Sequence, residues 1–168
     1  DRYGTRFLWG KAGLGKTNAV YNAMEQALLK QEQRLQHPVG TILVMVPAGG
    51  RETWRKEEKK VFSDPGNIFI VKGIADLDQA VAAQKRYTVV SHELLGYAKD
   101  NPELLAKLHA LIDRNQIVGS ILDEIDGFSN PAAKSTQVAS ELLLHIRRKY
   151  HQITGQNDTP IEIARKIL

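Results

Sequence analysis

The chain has 168 residues, 42% of them hydrophobic and 25% charged, which suits a globular domain with a real core and excludes a disordered or low-complexity segment. Its net charge of +4 is mildly basic, enough to admit a polyanionic partner without specifying one. It has no cysteine, so disulfides and thiolate metal sites are excluded, and its longest purely apolar run, Ile42–Val46, is far too short to span a bilayer.

Phe7-Leu8-Trp9 reads as a first strand, and it runs directly into Gly10-Lys11-Ala12-Gly13-Leu14-Gly15-Lys16-Thr17. That stretch fits G-x-x-x-x-G-K-[ST], the P-loop or Walker A pattern, with Gly10, Gly15, Lys16 and Thr17 at the fixed positions. The spacing has a mechanism. Glycines let the backbone wrap so that several N–H groups converge, and the following helix adds its positive end. Lys16 then reaches the terminal phosphates of a nucleotide as a point charge, and the Thr17 hydroxyl suits a magnesium ion. A flexible glycine turn with an incidental lysine is the plainer alternative. The setting favours the phosphate reading, because Ala19, Val20, Ala23, Ala27 and Leu28 mark an amphipathic helix immediately after the loop.

Thr41–Val46 is the next strand, ending at Pro47-Ala48-Gly49-Gly50. The run Arg51–Lys60 mixes charge signs at helical spacing and reads as a solvated helix face, with Trp54 as its packing residue. Further strands are read at 68–71, 87–90, 120–122 and 150–154. Apolar stripes mark two further helices, through Leu104, Leu105, Leu108, Leu111 and Ile112 and through Val138, Leu142, Leu143 and Ile146. Strands without in/out alternation, separated by helices, imply an α/β fold with a mainly parallel central sheet covered on both faces. Ligands in such folds sit where strands end and helices begin. No repeat or linker divides residues 1–168, so one domain is expected. The histidines are scattered, only His145 and His151 lying close together, which argues against a histidine metal site. No leader of the charged-then-apolar kind is present, and an intracellular protein without membrane association is expected.

Asp123-Glu124 follows the strand Ser120-Ile121-Leu122. A pair of acids there is common in itself. Beside a P-loop it gains a role: Asp123 would hold the magnesium ion, and Glu124 would orient or deprotonate the attacking water. Asp126 reads as surface.

The segments between loop and acids carry a resemblance. Gly13-Leu14-Gly15-Lys16-Thr17 matches a GLGKT ending; Ile42–Pro47 with Thr53-Trp54-Arg55-Lys56-Glu57 is similar to a strand–Pro segment followed by QW-x-x-E; Thr88–Leu95 is similar to TTYELL. Asp123-Glu124-Ile125-Asp126 with Asn130 and Lys134-Ser135 parallels DEAH-x-x-KN-x-x-SK, a DEAD/DEAH-like box, and Ile153-Thr154-Gly155 with Thr159-Pro160-Ile161 echoes LTGTPI. In this order, covering nearly the whole chain, they resemble the first motor lobe of superfamily-two helicases, especially Swi/Snf-like DNA translocases.

That resemblance implies a RecA-like three-layer lobe that binds ATP and Mg²⁺ and hydrolyses ATP to move on nucleic acid, double-stranded DNA by the Swi/Snf likeness. It places Gly49, Gly50, Ser91 and His92 against a nucleic-acid backbone and Thr154 and Gly155 in the segment that couples hydrolysis to movement. It also implies a glutamine element before Phe7 and a second RecA-like lobe after Leu168 that supplies arginines to the γ-phosphate, so this lobe by itself is expected to turn over little. The chain departs from the pattern at Asp126, where the box has histidine, and at Thr154–Pro160, where TGTP is expanded. Two alternatives stay open. Ile121–Asp126 also resembles the acid segment of AAA+ ATPases, although the interval from loop to acids is long for one; and the altered coupling turn suits a non-catalytic nucleotide-binding or scaffold lobe.

Overall fold

All six residues of Thr41–Val46 are buried, as befits a strand with helices on both sides and no polar face. The computed structural model describes residues 5–10, 16–36, 39–61, 66–154 and 162–167. In chain order the elements are β1 (Thr5–Gly10), α1 (Lys16–Leu35), β2 (Thr41–Val46), α2 (Gly50–Val61), β3 (Ile68–Ile70), α3 (Ile74–Ala82), β4 (Tyr87–Ser91), α4 (His92–Asp100), α5 (Pro102–Asp113), β5 (Ile117–Asp123), a 3-10 turn (Ile125–Phe128), α6 (Lys134–Thr154) and β6 (Glu162–Ile167). The strands form a single sheet in the order β1-β6-β5-β2-β4-β3, and every neighbouring pair is parallel. The expected α/β architecture is therefore present, with six α-helices around an all-parallel sheet.

Alternate residues of β2 feed different cores. Ile42, Val44 and Val46 of β2 join Val20, Tyr21, Met24 and Leu28 of α1 and Trp54 of α2 on one face. Leu43 and Met45 join the apolar sides of α3, α4, α5 and α6 on the other. Helix starts follow their sequence signals. Ser91 caps α4 by accepting the Leu94 N–H, and Asn101 caps α5 by accepting the Leu104 N–H, with Pro102 at the first turn.

The last expected strand is a correction. Residues 150–154 form the end of α6 rather than a strand. In the sequence, Ile146, Tyr150 and Ile153 continue the helical stripe of Val138 and Leu142 at spacings of three and four, and that period prevails over the β-preference of the individual residues. The final strand is instead β6. Helices α3 and α4 escape a periodicity reading because each is only nine residues long and buries only two side chains, Leu77 and Ala80 in one, Leu95 and Ala98 in the other.

Two polar devices hold the periphery. Glu58, buried on α2, accepts the backbone N–H groups of Gly66, Asn67 and Ile68 and so fixes the entry to β3. Replacing Glu58 by alanine leaves those donors without their carboxylate and is expected to lower stability by about 2 kcal/mol in urea unfolding, whereas exposed Glu52→Ala on the same helix changes it by less than about 0.5 kcal/mol. Between α5 and α6, His109 and His145 face each other through Nδ1 atoms 2.6 Å apart, with Nε2 of His109 on Glu141 and Nε2 of His145 on Asp113. Among the described residues no group of three or more histidines and acids is placed to hold a metal ion, and no helix is long and apolar enough to cross a membrane.

Candidate functional site

Helix α1 begins at Lys16, directly after the glycine-rich stretch, and its first turn carries no acidic residue. Lys16 and Thr17 are nonetheless buried, at 4% and 3% exposure. A lysine at the positive end of a helix dipole is placed against the usual preference for acidic groups there. The combination concentrates positive potential at one buried point, which is the electrostatic requirement of an anion site. Gly10 is the last residue of β1; Lys11, Ala12, Gly13, Leu14 and Gly15 lie outside the described residues.

The sheet register brings Asp123 towards this point. Arg165 of β6 pairs with Leu8 of β1 on one side and with Asp123 of β5 on the other. Asp123 is thus level with a residue just short of the end of β1, about 10 Å away across two inter-strand spacings. It lies two residues after Ile121, which packs with α1 and α2, so the strand period turns its side chain to that same face. There its carboxylate, 5% exposed, accepts the Trp54 indole N–H at 2.7 Å through Oδ2. Trp54 is fully buried, its ring 4.9 Å from that of Tyr21, and the Tyr21 hydroxyl donates to the Trp54 carbonyl at 3.0 Å. Burial and the nearby acids Glu58, Glu57 and Asp123 push the Tyr21 phenol far above its ordinary value, so it serves as a neutral donor. The Trp54–Asp123 pairing was not legible in the sequence, where the tryptophan reads only as a packing residue.

Glu124 departs from its neighbours. It is exposed, and its backbone has φ 55° and ψ 62°, the left-handed region that glycine tolerates and other residues enter at a cost of about 1–2 kcal/mol. The kink takes the chain out of β5 into the 3-10 turn, with the exposed Glu124 just past the strand end. Asp126, in that turn, is exposed as expected.

The two segments expected at a nucleic acid lie on neighbouring strands, at the ends of β2 and β4. The Glu93 carboxylate ties them together: burial raises its pKa, but hydrogen bonds from its own N–H, the Ser91 side chain and the Ala48 backbone, with His92 nearby, outweigh that and hold it below the ordinary value. The four expected contact residues are placed differently. A Cβ on Gly49 would meet no atom within 4 Å, whereas one on Gly50 would lie 3.3 Å from the Val46 Cβ. Packing therefore accounts for glycine at 50 and leaves 49 open to approach. Ser91 is buried, its hydroxyl engaged as the α4 cap. His92 is half-buried, its ring 4.1 Å from Phe128 in the turn after the acids. Burial lowers its pKa, against the opposing pull of Glu93, Asp123 and the backbone of Met45 and Asp123. Thr154 is the last residue of α6, and Gly155 lies outside the described residues.

A cavity of about 640 Å³ lined by Glu32, Thr41, Lys85, Arg86 and Gln116 opens at the other end of the sheet, where the strands begin. Of its two cations, Arg86 is paired with Glu25 and Glu32 and Lys85 donates to the Gly66 carbonyl, and the cavity lies at the opposite end of the strands from Asp123. The chain matches no protein-family model and no curated protein.

Proposed function

We propose that the chain is the ATP-binding lobe of an ATP-dependent DNA helicase or translocase of the Swi/Snf-like kind, built on a RecA-like fold. The observation that carries the reading is the placing of Lys16 and Thr17, buried at the start of α1, on the same sheet face as the buried Asp123 carboxylate two strands away. The all-parallel sheet with six helices is compatible with that lobe.

The donor set fits magnesium: a hydroxyl and a carboxylate are hard oxygen ligands, and a neighbouring lysine suits phosphate rather than metal. A bound Mg²⁺ would supply positive charge to offset the negative charge that develops on the phosphates. The chain's own groups do the rest. Backbone N–H groups at the start of α1 cradle the phosphates, Lys16 lies against the β/γ-phosphates, Thr17 and Asp123 hold the cation, and Glu124 orients the water that attacks the γ-phosphorus as ADP leaves. Catalysis is by positioning and electrostatics, with no covalent enzyme intermediate. The partner lobe of the same polypeptide supplies the arginines that complete the site.

The track lies across the ends of β2 and β4, with Gly49 giving close access to the phosphate backbone. The test is the ATPase rate of the longest natural form of the chain with and without duplex DNA, alongside Gly49→Asp. Stimulation by DNA is expected, with the variant keeping its basal rate and stability but needing about tenfold more DNA for half-maximal stimulation, because a carboxylate there repels the phosphates. Indifference of the wild-type rate to duplex DNA, single-stranded DNA and RNA alike would remove the motor reading and leave a nucleotide-binding lobe of another kind.

A further inference from the structure

We propose that Trp54 is a positioning residue for the metal-holding carboxylate: its indole N–H sets the orientation of Asp123 and ties it to the helix that leaves the end of β2. The inference rests on the nucleotide reading for its consequence, although not for its geometry. An indole nitrogen can only donate, so the 2.7 Å contact between Trp54 Nε1 and Asp123 Oδ2 has one polarity, with the carboxylate oxygen accepting. With Oδ2 engaged, the carboxylate plane cannot spin freely about its last torsion, and the direction that Oδ1 presents is set by the indole. Second-shell groups of this kind, which hold a ligand rather than the metal, typically govern metal affinity by 10–100-fold.

The indole is itself immobilised. Trp54 has no exposed surface, Tyr21 packs edge-on against it at 64° and bonds its carbonyl, and the far side of Tyr21 packs at 89° on Tyr87. Tyr21 lies four residues after Thr17 on α1, so the two share one helix face. The hydroxyl and the carboxylate assigned to the cation are thus linked through two buried aromatic rings. Trp54 is also one helical turn after Gly50, where α2 begins with the Gly50 N–H on the Pro47 carbonyl. The segment expected to touch the track thus runs straight into the helical turn that carries the donor to Asp123.

The experiment replaces Trp54 by its benzothienyl analogue, in which sulfur stands for the N–H in a ring of the same shape, and separately makes Trp54→Phe. Both are compared with wild type for binding of a fluorescent ATP analogue over a magnesium titration. The Mg²⁺ needed for half-maximal binding is expected to rise about tenfold or more in both variants, with the affinity measured in EDTA and the thermal midpoint of the benzothienyl protein unchanged. A second readout needs no nucleotide. The chain has two tryptophans, Trp9 and Trp54, so an indole ¹⁵N–¹H spectrum has two side-chain signals; the one lost in Trp54→Phe should lie downfield and move upfield in Asp123→Ala. An unchanged magnesium requirement in variants that bind nucleotide, or a Trp54 indole signal indifferent to Asp123→Ala, overturns the inference alone. A wild-type protein that binds no nucleotide at any magnesium concentration, with the indole signal responding to Asp123→Ala, overturns the nucleotide reading instead and reduces the pair to a packing contact.

Discussion

Replacing Glu124 by glycine is expected to give a more stable protein that hydrolyses ATP at least about a hundredfold more slowly. The two halves of this result have separate causes. Glu124 holds a left-handed backbone at φ 55° with an exposed side chain, so the fold gains nothing visible from the glutamate and bears the strain of its Cβ. Glycine removes that strain, and after its larger unfolded-state entropy is subtracted the expected gain is about 1 kcal/mol in urea unfolding. The activity is expected to fall because the carboxylate assigned to the attacking water is gone. Glu124→Gln is the control: it keeps the Cβ, gains no stability, retains ATP binding and loses turnover to a similar extent. Strained backbone persists where a constraint other than stability selects it. Turnover unchanged in the glutamine variant would take Glu124 out of the mechanism, and a glycine variant less stable than wild type would show that the side chain does structural work.

Lys16→Ala is expected to weaken Mg-ATP binding by at least about a hundredfold, some 2.7 kcal/mol, in a calorimetric titration. Urea unfolding of the same variant separates a ligand role from a structural one. Alanine is the better helix former, and it removes a buried cation from the positive end of α1. Loss of binding with stability equal or higher is the signature of a group placed for a ligand. A lysine that merely packed would give the reverse, lower stability at equal affinity, and that outcome would contradict the phosphate role.

What could be read from the sequence is what local period encodes. The all-buried β2 and the amphipathic α1, α5 and α6 announce themselves through their spacing, and the glycine-rich stretch falls between a strand and a helix as expected. Partners are another matter. Trp54 and Asp123 are 69 residues apart, and His109 and His145 are 36 apart; nothing in a window of one helix or strand says that such side chains meet. The same limit explains Ser91 and His92. The resemblance sets them beside a nucleic-acid backbone; the fold adds that Ser91 is a helix cap and that the His92 ring packs on Phe128. The misread strand at 150–154 shows the converse, a β-branched and aromatic run whose helical register was already fixed further upstream.

The place of β6 in the sheet has a consequence for how the molecule is made. It follows the other five strands in sequence, yet it is the neighbour that joins β1 to the rest of the sheet. As the chain leaves the ribosome, β2 to β5 can associate early, while β1 waits, without a template, for Glu162–Ile167 to emerge. β1 is therefore among the last of the strands to settle, a long-range closure that is slow by nature. The sheet is complete only when β6 takes its place between β1 and β5.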